Sequence, residues 1–285
     1  MSRSPFAVFC LVFALALGAA PGTAATGSVY KHVGPDGKIT YTDRTPGSGE
    51  EGQKGELRLA SVKRDPAAAV FSPTFFTSRG EIRAGKAFLA QLPNCPTVLL
   101  VTALHLFGPA GGFGAQMAPG DIGQSVTRIG LSSIAGSNSI DEFKAVNRTP
   151  VRAAPCCQGE TPASGVGDVA AFVGPSRRDL ALPVSGIPVK RGDRVYVVTS
   201  LAGGKGEKVR FEAVARGLER GYLLYDFIDG GYAVRATSGA PVLNANGEVV
   251  AINLGGGSTD NSGRMYGLGN PATAWRDALS SSCRS

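Results

Sequence analysis

Histidine is scarce in this sequence. Only His32 and His105 occur in 285 residues, which excludes a centre built from several imidazoles and leaves two possible imidazole bases. Charge is sparse as well. Asp, Glu, Lys and Arg make up 18% of the chain, too few for a coiled coil or other long-helix protein. Long apolar runs are missing too. The one continuous stretch, residues 6–20, is shorter than the roughly 20 residues a membrane-spanning helix needs. The five cysteines show no Cys-x2-Cys spacing and have no histidine beside them, which argues against zinc. No residue pattern calls for another metal or a cofactor.

What is present points to β-structure. Hydrophobic residues reach 43%, enough for a sizeable core and too many for wholesale disorder. The 40 glycines and 18 prolines suit many turns between short strands.

Residues 1–25 have the form of an export signal: Arg3 in a short polar start, the apolar run 6–20, a Pro21-Gly22 break, then small residues. The expected location is periplasmic or secreted, with no transmembrane segment once the signal is removed. Loss of Arg3 takes the net charge from +7 to +6. Loss of Cys10 leaves Cys95, Cys156, Cys157 and Cys283. In an oxidising compartment these allow up to two disulfides in three connectivities. Neighbouring Cys156 and Cys157 are expected to bond to two different partners rather than to each other.

A β-hairpin module is expected at 26–48. Val29, Lys31 and Val33, then Ile39 and Tyr41, alternate around Gly34-Pro35-Asp36-Gly37. Tyr30, Lys31, Val33, Asp36, Gly37, Tyr41, Asp43 and Pro46 resemble a short module at the N-termini of many Gram-negative envelope proteins. His32 lies in its first strand and reads as an ordinary strand residue. Residues 49–69 are polar and turn-rich and read as a flexible linker.

From 70 onward, short β-type runs recur between glycines, and 271–279 (PATAWRDAL) reads as a helix with proline in its first turn. Three segments carry the chemistry. An apolar strand runs into His105 (97–107, TVLLVTALHLF). Asp168 opens an apolar strand (167–173, GDVAAFV). Ser238 sits in a tight Thr-Ser-Gly turn before a hairpin (236–257, ATSGAPVLNANGEVVAINLGGG).

These segments resemble the chymotrypsin-fold (trypsin-like) serine peptidases, particularly their bacterial branch. Residues 84–92 (AGKAFLAQL) and 188–204 (PVKRGDRVYVVTSLAGG) resemble strands of the same family. Their order matches, and the resemblance spans about 70–285. It implies a mostly β, double-barrel fold with a C-terminal helix. It also implies Ser238 as nucleophile, His105 as general base and acid, and Asp168 as the group that orients the imidazole. Asp179, in the DLAL sequence, fits the same Asp-apolar-Ala pattern. Spacing favours Asp168, which leaves room for a strand, a turn and another strand before Gly192.

The resemblance implies an oxyanion hole from the backbone N–H groups of Ser238 and Ala236. Ala236 stands where the family usually has glycine, and a left-handed backbone would cost alanine about 1–2 kcal/mol. Leu104 replaces a usually small residue, and Leu106 stands where many animal members have a cysteine. Tyr232 occupies the position of an aspartate in members specific for basic residues. With Val234, it implies a small or apolar specificity pocket. Asn253 and Gly255, in the NLGGG segment, match the edge that pairs with substrate backbone.

Other motifs are weaker. Gly203-Gly204-Lys205-Gly206 lacks phosphate-loop spacing, and 267–272 (GLGNPA) reads as a turn before the last helix. Lys205, Lys208, Arg210, Arg216 and Arg220 read as a solvated basic face, with an anionic envelope surface as a further partner and no nucleic acid. Two functions follow: an exported serine endopeptidase acting on peptides or proteins, or a catalytically inactive peptide-binding protein of the same fold.

Overall fold

The computed structural model describes residues 30–33, 39–42, 65–78, 80–136, 138–153, 167–201, 208–229, 234–258 and 264–283. The signal, most of the linker, Tyr232, Cys156 and Cys157 lie outside them. The chain divides into two compact units, Met1–Lys63 and Arg64–Ser285.

In the first unit, β1 (Tyr30–Val33) and β2 (Ile39–Thr42) pair antiparallel, with Tyr30 opposite Thr42 and Val33 opposite Ile39. This is the expected hairpin pairing.

The second unit begins earlier than the expected linker end at 69. Asp65 accepts a hydrogen bond from the N–H of Ala67 and caps a 3-10 turn, Pro66–Ala69. Ala67 and Ala69 are 1% exposed. The Asp-Pro start reads as linker, but the alanines are small enough to pack into the core.

Two barrels follow. The first contains β3 (Val70–Thr77), β4 (Gly80–Arg83), β5 (Ala87–Gln91), β6 (Leu99–Thr102), β7 (Val126–Ser133), β8 (Ile140–Lys144) and β9 (Ala170–Val173). A short helix α1 (Ile122–Ser125) precedes β7, and a two-residue strand β10 (Leu182–Pro183) pairs parallel with β5. The main path runs β8-β7-β3-β5-β6-β9. The chain just after β8 returns to β9: Arg148 N–H donates to Ala171 O, and Val173 N–H donates to Val146 O. These bonds bring the two ends of the path together, while β4 pairs only with β3. Its core holds Phe75, Phe107 and Phe172, with Phe75 and Phe107 edge to face at 4.8 Å between centroids.

The second barrel is closed in the order β11 (Arg194–Val198), β12 (Arg210–Glu219), β13 (Tyr222–Phe227), β16 (Met265–Pro271), β15 (Val249–Ser258), β14 (Pro241–Leu243). In β13, every second side chain (Leu223, Tyr225, Phe227) is buried, the period of a strand with one face inward. The segment read as a turn, 267–272, is instead mostly β16. Its glycines make way for an aromatic ring: a Cβ on Gly267 would lie 2.1 Å from the Tyr225 ring. Glycine inside a strand here marks close approach, not a break.

The helix α2 (Ala272–Ser282) follows, with Pro271 as its extended cap. Trp275 and Leu279 are fully buried. Among the described residues no helix is long and apolar enough to cross a membrane. Cys95, between β5 and β6, is disulfide-bonded to Cys283 at the end of α2. That pairing overturns the expectation that Cys156 and Cys157 bond to two different partners among the exported cysteines.

Of the basic residues read as a solvated face, Lys205 lies outside the described residues and Lys208, Arg210, Arg216 and Arg220 are exposed, three of them with a surface partner. Lys208 pairs with Asp229, Arg216 pairs with Asp226, and Arg210 stacks on Tyr196 with its guanidinium carbon 3.7 Å from the ring centroid.

Candidate active site

His105 and Asp168 meet because their strands are paired. In the β6–β9 ladder Thr102 faces Ala170. Three residues past Thr102, and two before Ala170, the chains bring His105 and Asp168 together. His105 lies in a 3-10 turn, Leu104–Phe107, seated on the buried side chains of Leu104, Leu106 and Phe107. Its backbone N–H donates to Asp168 Oδ1 at 2.8 Å, and its ring Nδ1 lies 2.5 Å from Asp168 Oδ2. The Asp168 side chain is fully buried and that of His105 is 15% exposed. A carboxylate removed from water needs such bonds to remain charged. With the proton on Nδ1 held by Asp168, Nε2 is left as the basic nitrogen. Asp179 is exposed and forms a two-pronged pair with Arg177. Of the two aspartates, Asp168 is the one beside His105.

Ser238 belongs to the turn that enters β14 of the second barrel. Its carbonyl accepts the Lys86 N–H at 2.7 Å from the start of β5, which ties the barrels together. Gly85 is the meeting point. A Cβ there would lie 2.5 Å from both Leu106 Cδ1 and Ser238 O, and Gly85 itself has φ +60°. Only glycine admits the loops of His105 and Ser238 so close to one backbone. The Ser238 hydroxyl donates to Leu254 O at 3.1 Å. Among the described residues no hydrogen bond joins Ser238 to His105. Neighbouring Lys86 is 6% exposed, and burial lowers its pKa.

Ala236 has φ +59°, the left-handed backbone considered from the sequence. Ala236→Gly is expected to stabilise the fold by about 0.5–1 kcal/mol, the relieved strain less glycine's extra unfolded-state entropy. Urea denaturation reads the change, and reaction of Ser238 with a serine-directed probe should accelerate.

The remaining candidates divide. Val234 and Thr237 line, with Val197, Leu201, Phe211 and Phe227, an apolar void of about 10 Å³, room for about one water, in the core of the second barrel. Gly255 lies on β15 at φ +127°, with open space where a Cβ would project. Asn253 does not face a substrate edge. It is 1% exposed, its N–H donates to Ala240 O, and its carbonyl accepts the Gly239 N–H. The β15 strand carries it inside the barrel, so its expected role in substrate binding is corrected. Sequence reading missed Tyr225 and Thr237, the side-chain partners of Asn253. Tyr225 stands in the inward-facing series of β13, where a lone hydroxyl among apolar residues was the available signal.

No family model matches the sequence, and no curated protein matches it. Among solved structures the chain is similar to the active form of the Rv3671c protease from M. tuberculosis. Identity is 16% over 75% of this chain and 82% of that one, with a TM-score of 0.45. The serine endoprotease from Yersinia pestis is 14% identical over 77% of this chain and 64% of that one, with a TM-score of 0.46. The HtrA-type protease AlgW with a tripeptide is 15% identical over 74% of this chain and 58% of that one, with a TM-score of 0.45. The double-barrel architecture of this chain rests on its own strand order.

Proposed function

We propose that this chain is an exported serine endopeptidase, with Ser238, His105 and Asp168 as its triad. The observation that carries the reading is the buried Asp168 carboxylate gripping both the ring and the backbone of His105. Ser238 Oγ attacks the carbonyl carbon of a peptide bond and passes its proton to His105 Nε2. The resulting oxyanion accepts hydrogen bonds from the N–H groups of Ser238 and Ala236. His105 then protonates the leaving amine, and an acyl-enzyme forms. Water attacks the acyl-enzyme with His105 again as base, releasing the acid and restoring Ser238.

An extended substrate would lie along 255–257 of β15, with its side chain directed towards Val234. Export is inferred from the signal-like residues 1–25 and suits the disulfide. An anionic envelope surface is a secondary partner, drawn by net charge more than by a free basic patch.

A second reading, a silent peptide-binding protein, is favoured by the Ser238 bond to Leu254 O and by the left-handed Ala236. A fluorophosphonate probe separates the two. The folded wild type should be labelled at Ser238, and Ser238→Ala should not. An unlabelled wild type, or equal labelling of both, would leave the binding reading.

A further inference from the structure

We propose that Asn253, Thr237 and Tyr225 form a buried positioning network that holds the 234–240 turn, and with it the nucleophile and its amide donors. The catalytic consequence rests on the peptidase reading above. The structural claim does not.

The network is complete in hydrogen bonds. Tyr225 Oη donates to Asn253 Oδ1 at 2.5 Å. Asn253 Nδ2 donates to Thr237 O and to Thr237 Oγ1, each at 2.9 Å. Thr237 Oγ1 in turn donates to Val234 O at 2.6 Å. The backbone of Asn253 adds two more bonds, accepting from Gly239 at 2.7 Å and donating to Ala240 at 2.8 Å. One residue of β15 therefore holds the turn on both sides of Ser238.

Burial makes this network specific. Tyr225 is fully buried, and Thr237 and Asn253 are 1% exposed. Water cannot replace a lost partner cheaply there, so each bond constrains its neighbours. Tyr225 is itself held in place. Bare Gly267 lies against its ring, where a Cβ would come within 2.1 Å. Burial also raises the phenol's pKa, so the hydroxyl stays a donor. The turn it serves contains Ala236, a non-glycine residue with a left-handed backbone two positions before Ser238. A strained backbone next to a nucleophile persists only when its surroundings fix it.

The test uses Tyr225→Phe, Thr237→Val and Thr237→Ser in the full chain. Tyr225→Phe and Thr237→Val should each lower kcat about tenfold or more, since small displacements of reacting groups are costly. KM should stay within about twofold, because binding is common to both states. Thr237→Ser keeps the hydroxyl and should recover most of the loss. Equal losses in Thr237→Ser and Thr237→Val, or unchanged kcat in Tyr225→Phe and Thr237→Val, would overturn the network.

Amide hydrogen exchange gives an arm independent of activity. Exchange at Gly239 and Ala240 should quicken in Tyr225→Phe while the strands of the first barrel keep wild-type rates. Uniform quickening, or none, also overturns the inference. If the wild type takes no fluorophosphonate label, the peptidase reading fails and exchange alone decides on the network.

Discussion

Asp168→Asn is expected to lower kcat by about 10⁴-fold while the protein stays folded, the scale of loss found when a triad aspartate becomes an amide. The reason lies in two bonds. Asp168 accepts from the His105 backbone N–H through Oδ1 and faces Nδ1 through Oδ2. An asparagine can keep the first bond with its carbonyl oxygen, which turns its NH₂ towards Nδ1. Nδ1 must then accept, so the ring proton moves to Nε2, and Nε2 can no longer take the proton of Ser238. The side chain is fully buried, but asparagine leaves no unpaired charge, so unfolding should change far less than turnover. Turnover of a peptide substrate and the rate of fluorophosphonate labelling both read the loss. Asp179→Asn is the control. That carboxylate is exposed and paired with Arg177, and its replacement should leave turnover near wild type and stability within about 0.5 kcal/mol. Equal effects of the two substitutions would remove Asp168 from the proposed triad.

The difference between these aspartates shows what the sequence could carry. Reactive residue types are rare, and one histidine in the barrel unit pointed to itself. The distance from each aspartate to Gly192 then told which carboxylate had room to open a paired strand. Inward-facing positions were legible where apolar residues alternate, as in β13. Contacts made only by barrel closure were not. Tyr225 and Asn253 are 28 residues apart and meet because β13 and β15 both pair with β16. The glycines of β16 suggested a turn because their cause, the Tyr225 ring, lies on another strand. Ala67 and Ala69 looked like linker because small residues serve both flexible and tightly packed chain. The fine structure of the site lies in just these long-range contacts.

The largest expected effect on stability belongs to the Cys95–Cys283 bond. It joins residues 188 apart in sequence, so cutting it frees most of the barrel unit's unfolded chain from a long closed loop. In the chain-entropy view, loops of this length place the loss near the upper end of about 2–5 kcal/mol. For a unit of this size, that is a fall of roughly 8–20 °C in Tm. The fold should survive the cut. Trp275 and Leu279 still bury α2 against the core, and the Trp275 indole N–H still donates to Asn270 O. Cys283→Ser should therefore lower the midpoint of urea unfolding, and adding reductant to it should change nothing further. Reductant applied to the wild type should reproduce the variant. Because the contacts of His105 with Asp168 and of Ser238 with Lys86 do not involve either cysteine, labelling of the folded variant should match the wild type. A Cys283→Ser protein as stable as the wild type would show that α2 is held by its apolar face alone.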